Sequence, residues 1–268
     1  MSDHALGGLD RETIRDTLLA AADAAAERTL KGFRTPLAVE NKWTEGFDPV
    51  TAADKDAETA IRALIGERFP EHGIIGEEWD PKASAGDFDW IVDPIDGTRA
   101  FISGVPVWGT LIGFQSGGRS VMGLMDQPFT GERYFADGKR SWYSGPDGER
   151  QIRTRDCERL SDAILFTTSP HIFTGEDAER YHAVERHVRL FRYGTDCYAY
   201  ALLASGHVDL VIENSLKPYD VGALIPLIEH AGGIITTWNG GRPEMGGNII
   251  AAGSRALHEQ AMSILNGA

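Results

Sequence analysis

Between residues 73 and 138 the chain carries five short apolar runs, GIIGEE, FDWIVDP, VWGTLIGF, SVMGLMDQP and RYFADG, each bounded by Gly, Pro or Asp. Such runs read as strands, the later ones spaced as antiparallel neighbours. Two amphipathic segments precede them. Asp10 is placed to cap the first, along which Ile14, Leu18, Ala21, Ala25 and Leu30 recur at three- to five-residue steps. Ala57, Ile61, Leu64, Ile65 and Phe69 define the second, which stops at Pro70 and has Asp54 and Asp56 near its start. The intervening LAVENKWTEGFDPV reads as a turn-rich connection.

Further on, DAILFTTSP, RLFRYG and HVDLVIEN alternate with helical stretches at 178–188 and 197–204, the pattern of an α/β layer. Val221, Leu224, Ile225, Ile228 and Ala231 line another helix that ends at Gly232-Gly233, and Ser254 can cap a last one through Ile264. The Gly-, Arg- and Asp-rich stretch 144–155 is the expected seam. It separates an N-terminal α+β half, 1–147, from a C-terminal α/β half, 148–268, within one compact unit.

With 268 residues, 42% of them hydrophobic, the chain can bury a core without a disulfide or metal staple. Cys157 and Cys197 are too few and too isolated for a disulfide framework, so a reducing cytoplasm is the expected setting. The first residues, MSDHALGGLDRETIRD, lack a basic-then-apolar leader, and no uncharged run is long enough to cross a membrane. A net charge of −14 opposes binding to nucleic acid and favours a cationic partner. The eight histidines include no HExxH pair, which argues against a zinc hydrolase; His171 and His207 read as surface or structural residues.

The chemistry concentrates in WIVDPIDGTRAF, where an apolar strand runs into Asp93-Pro94-Ile95-Asp96-Gly97-Thr98. Asp-Pro-x-Asp at a strand end throws two carboxylates to one side of a turn with the Ile95 carbonyl between them. Three hard oxygen donors converge there. A helix starting at Gly97 would add N–H groups and the Thr98 hydroxyl, which suits a phosphate. Glu77 and Glu78 follow another apolar strand, Asp54 sits at a helix start, and Asp220 opens the apolar helix of LKPYDVGALIPLIEHAGG. Each of these acids alone reads as a cap or a solvated loop residue. Together with the Asp93 motif they form a candidate site.

In that order, Lys42, Asp54, GEE at 76–78, DPIDGT at 93–98 and the Asp220 helix with its AGG end, the chain resembles the inositol monophosphatase superfamily. The resemblance implies an α/β/α/β/α sandwich, usually paired as a homodimer, and a magnesium-dependent phosphatase with two to three Mg2+ ions acting on a small phosphorylated metabolite. It assigns Glu77, Asp93 and the Ile95 carbonyl to a first ion, Asp93, Asp96 and Asp220 to a second, and the surroundings of Glu77 to a third. Asp54 is expected to accept the Thr98 hydroxyl, and Thr98 with Glu77 to orient the attacking water. Gly97 and Thr98 are expected to receive the phosphoryl oxygens, where preorganised donors are most effective.

Arg99-Ala100-Phe101 and Lys217-Pro218-Tyr219 depart from the inositol-specific pattern and look like the histidinol-phosphate phosphatase branch of bacteria and plants. Histidinol phosphate bears a protonated amine, which a carboxylate away from the metals would hold. Asp196 and Glu213, together with Asp96, occupy the substrate-contacting positions the resemblance implies. The competing readings are a phosphatase for inositol, sugar or nucleotide phosphates, and a regulatory binding protein that has lost turnover.

Overall fold

The computed structural model describes residues 8–36, 38–41 and 49–267, so Lys42 lies outside the described residues. Asp10 caps helix α1 (Arg11–Gly32) by accepting the Thr13 N–H at 2.9 Å. The face of α1 that turns inward is Ile14, Leu18, Ala21, Ala22 and Ala25, continued by Thr29. Leu30, expected on that face, points outward and is 42% exposed, because the 3.6-residue repeat carries the stripe to Thr29. The turn-rich connection contains a two-stranded ribbon, β1 (Val39–Asn41) with β2 (Pro49–Thr51), and leads into helix α2 (Ala52–Arg68).

A seven-stranded sheet follows, in the order β3 (Gly73–Gly76), β4 (Phe88–Asp96), β5 (Gly109–Ser116), β6 (Arg119–Gln127), β7 (Glu132–Ala136), β8 (Ser141–Gly145) and β9 (Gly148–Ile152). Every pairing is antiparallel except β3 with β4. A short helix α3 (Thr98–Ile102) projects from the end of β4. Strands β8 and β9 occupy much of the stretch expected to be the seam. The boundary at 147/148 falls in their hairpin turn, and the chain leaves this sheet only after Ile152. Strands in which Ser, Gly, Glu, Arg and Gln outnumber the apolar residues carry too little apolar signal to be seen as strands.

The second sheet has five strands ordered β11 (Leu190–Tyr193), β10 (Ile164–Thr167), β12 (Leu210–Leu216), β14 (Gly247–Ala252) and β13 (Ile234–Thr237). Its helices are α4 (Gly175–Glu185), α5 (Tyr198–Ala204), α6 (Pro218–Val221), α7 (Leu224–His230) and α8 (Arg255–Leu265). The single helix expected from Val221 to Ala231 is broken into α6 and α7 at Gly222-Ala223.

Three apolar cores fix the layers. Helices α1 and α2 pack Ile14, Leu18, Ile61 and Ile65 on Trp90, Ile112 and Phe114 of the large sheet. Its other face shares a core with α5, α7 and the small sheet, through Leu111, Met125, Leu203, Leu227 and Val211. Helices α4 and α8 cover the far side of the small sheet with Tyr181, Val184, Leu257 and Ala261. The result is the α/β/α/β/α sandwich expected from the sequence.

One detail of the middle interface positions the chemistry. Gly113 and Gly123 are paired across β5 and β6 and leave a bare groove in the sheet. A Cβ on Gly123 would lie 2.2 Å from the Ala223 carbonyl oxygen, and one on Gly113 3.0 Å from the Ala223 nitrogen. The α6–α7 joint therefore sits directly on the strand backbones. Gly123→Ala is expected to destabilise the protein by about 1–3 kcal/mol, the usual cost of forcing extra volume into a packed core. A shift of the urea midpoint measures it, and an unchanged midpoint would show that the joint yields freely.

Candidate active site

Strand β4 ends in a register shift: Asp93 pairs with Leu111 and Asp96 with Gly109, so one strand carries an extra residue. In a regular strand, residues three apart point to opposite faces; the bulge brings Asp93 and Asp96 to the same side. Pro94 is tolerated at such an irregularity, and its carbonyl is held by the Thr110 hydroxyl at 2.8 Å. Gly97 then takes φ +83°, and a Cβ there would come within 3.1 Å of the Asp196 carboxyl group. Both constraints select glycine. Asp196 itself holds an unusual φ of +42° two residues before α5.

Asp220 completes the group from α6, where Pro218 starts the helix and the carboxylate accepts the Lys217 N–H at 2.6 Å. Carboxylate oxygens of Asp93, Asp96 and Asp220 all lie within 4.8 Å of one another. Asp93 also accepts the Ile95 N–H at 3.1 Å, and Asp96 accepts the Cys197 N–H at 2.7 Å. These three acids share a cleft of about 220 Å³ with Glu77, Ile95, Gly97, Thr98, Arg99, Thr168, Asp196 and Pro49.

Burial, followed by the charges of Glu77, Asp96 and Asp220, pushes the Asp93 carboxyl well above the carboxylate range. Asp96 is raised for the same reasons, with Asp196 and Asp220 as its charged neighbours. Asp220 is raised to about 7, chiefly by burial and then by Glu77. Converging carboxylates that destabilise one another in this way fit a hard divalent cation, which would supply the countercharge.

Glu213, on β12, accepts the Thr168 N–H at 2.6 Å and is raised to about 8 by burial. It does not line the cleft. It borders an adjoining cavity of about 20 Å³ together with Asp96, Asp196, Asp220 and Tyr200, whose hydroxyl is buried without a hydrogen-bond partner. Asp196 is raised to about 6 by burial, against the opposing effect of the Arg99 charge and Thr168.

Asp54 differs from expectation. Its carboxylate closes a capping box at the start of α2, accepting the Thr51 N–H at 2.8 Å and the Thr51 hydroxyl at 2.6 Å, while Oδ1 is buried without a hydrogen-bond partner. Burial raises it to about 6. The expected Asp54–Thr98 hydrogen bond is not formed: the Thr98 hydroxyl donates to the Ile95 carbonyl at 3.1 Å instead. Thr168 and Tyr200 gave no sequence signal, lying in an ordinary strand end and an apolar helix.

The inositol monophosphatase family model matches residues 10–267. The chain belongs to that family. It is 46% identical to the chloroplastic bifunctional phosphatase IMPL2 of Arabidopsis thaliana, over 92% of this chain and 73% of the relative. It is 33% identical to a histidinol-phosphatase of Chlorobaculum parvum, over 89% of this chain and 91% of the relative. A solved inositol monophosphatase from Zymomonas mobilis superposes with a TM-score of 0.86 at 38% identity, covering 96% of this chain and 99% of that one. The protein is thus a metal-dependent phosphomonoesterase of the inositol monophosphatase family, acting on phosphorylated small metabolites.

Proposed function

We propose that the protein is a magnesium-dependent phosphatase for L-histidinol phosphate. The observation that carries this reading is the pair of acids, half-buried Asp196 and buried Glu213, flanking Thr168 beside the carboxylate triad. A neutral polyol has little use for two desolvated acids, whereas a substrate ammonium supplies the charge that lets them ionise. Relatives named histidinol-phosphatase from Chlorobaculum parvum, Mycobacterium tuberculosis and Streptomyces coelicolor, at 32 to 33% identity, support it.

Glu77, Asp93, Asp96, Asp220 and the Ile95 carbonyl would hold the magnesium. Bound there, divalent ions acidify water and offset charge on a phosphoester. The protein's part is positioning. The Gly97 and Thr98 amides receive the phosphoryl oxygens at the start of α3, while the Thr98 hydroxyl and Glu77 orient the incoming water. Asp54, whose Oδ1 is buried without a hydrogen-bond partner, is proposed to orient the Thr98 hydroxyl during the reaction. Two molecules are expected to pair, and the exposed edge strand β11, with Leu190, Phe191 and Tyr193 at its surface, supports a homodimer.

A second reading, hydrolysis of inositol 1-phosphate, is favoured by the Zymomonas mobilis structure and by a Rhizobium meliloti inositol-1-monophosphatase at 32% identity. A regulatory role is favoured by the similarity to the Escherichia coli Nus factor SuhB, also 32% identical. Phosphate release from histidinol phosphate, inositol 1-phosphate, fructose 1,6-bisphosphate and 3′-phosphoadenosine 5′-phosphate, with magnesium and with excess chelator, separates the three. The highest kcat/KM is expected on histidinol phosphate, with none remaining in chelator. Preference for inositol 1-phosphate would overturn the substrate reading alone, and inertness toward all four would favour the regulatory one.

A further inference from the structure

Helix α2 carries a second buried acid one turn after Asp54. Glu58 is fully buried, does not line the cleft, and faces the loop that bears Glu77. One of its carboxylate oxygens accepts Arg62 Nε at 2.6 Å, and the other accepts the Glu78 N–H at 2.7 Å. Arg62 reaches further along the same loop, donating from Nη2 to the Trp79 carbonyl at 3.0 Å. A Cβ on Gly76 would lie 2.0 Å from Glu58 Oε1. Gly76 is therefore bare because the Glu58 carboxylate fills the space a side chain would take.

Glu77 is bracketed by these contacts: the residue before it is fitted against Glu58 and the residue after it is tethered to Glu58 through its amide. We propose that Glu58, supported by Arg62, is a positioning residue that presents Glu77 to the catalytic cation. The proposal rests on the reading of Glu77 as a metal ligand. An apolar side chain would fill this part of the core without adding another acid near Asp54 and Glu77. What the carboxylate adds is two directed acceptors, one for the loop and one for the guanidinium that also holds the loop. Partners that orient metal ligands commonly account for ~10–100-fold in metal affinity.

Glutamine at position 58 keeps the volume but turns an NH2 group toward one of the two donors, so one of the two bonds is lost. Mn2+ is the probe, titrated into the metal-stripped full-length protein and followed by the EPR signal of the free ion, with the Tm of the metal-free protein measured alongside. Glu58→Gln and Gly76→Ala are each expected to weaken Mn2+ binding about tenfold or more, with a much smaller relative change in the metal-free Tm. Arg62→Lys, which keeps the charge but cannot bridge the same two oxygens, is expected to fall between them and wild type. Unchanged Mn2+ affinity in Glu58→Gln and Gly76→Ala, whatever happens to Tm, overturns the proposal and leaves the pair as a structural tie. If Glu58→Gln does not fold, Gly76→Ala and Arg62→Lys carry the same two outcomes. Glu77→Gln distinguishes the premise: Mn2+ binding as tight as wild type there removes Glu77 from the ligands.

Discussion

Asp93→Asn is expected to lower kcat on any phosphomonoester the enzyme accepts by on the order of 10³-fold or more, since it removes the charge from the most buried of the converging acids. The same change should leave the metal-free protein at least as stable as wild type. Asparagine retains an oxygen for the Ile95 N–H, and it removes a charge that burial and Glu77, Asp96 and Asp220 all disfavour. Steady-state rates at saturating magnesium and thermal melts in chelator measure the two halves. A rate within tenfold of wild type would take Asp93 off the list of ligands. A large fall in the metal-free Tm would instead make it a structural acid.

Glu213→Gln is expected to reduce kcat/KM for histidinol phosphate about tenfold to a hundredfold, the worth of one charge-assisted hydrogen bond of roughly 1.5–3 kcal/mol, and to leave inositol 1-phosphate nearly untouched. Glu213 also predicts a pH signature. Its folded value of about 8 stands above the ordinary 4.5. The folded, metal-free protein therefore keeps a proton that the unfolded chain releases as pH rises from about 4.5 to about 8. Stability from this group is fully present below the lower value and is lost as pH rises through the upper one. Denaturant midpoints in chelator should decline across that window more steeply in wild type than in Glu213→Gln. Equal losses on both substrates would mean that Glu213 supports the fold or the metal site and reads no amine.

The sequence exposed those parts of the molecule whose local pattern matches their final environment. Asp10 and Ser254 cap the helices they precede, and the strand running into Asp93 and Asp96 was legible because apolar residues give way abruptly to two acids around a proline. Strands β8 and β9 were hidden because Ser141 to Ile152 is mostly polar, and pairing with β7 overrides that composition. The partner of Thr98 could not be read because the hydroxyl bonds the Ile95 carbonyl three residues back, a local turn contact that only the folded backbone reveals. Glu58 was missed for a related reason. A Glu and an Arg four apart on a helix look like a solvated surface pair, and only the folded chain shows the acid buried under Gly76.

The groove formed by Gly113 and Gly123 seats the joint that carries Asp220, so the third carboxylate reaches the other two only when the middle helices have docked on the large sheet. Cation affinity is thus absent from a chain that has made β4 but not yet closed this interface. Because the ion binds the finished arrangement and not its precursors, a free divalent cation stabilises the folded state by mass action, by an amount that grows with the logarithm of its concentration above the dissociation constant. The level of available divalent cation would then set the stability of the protein as well as its turnover.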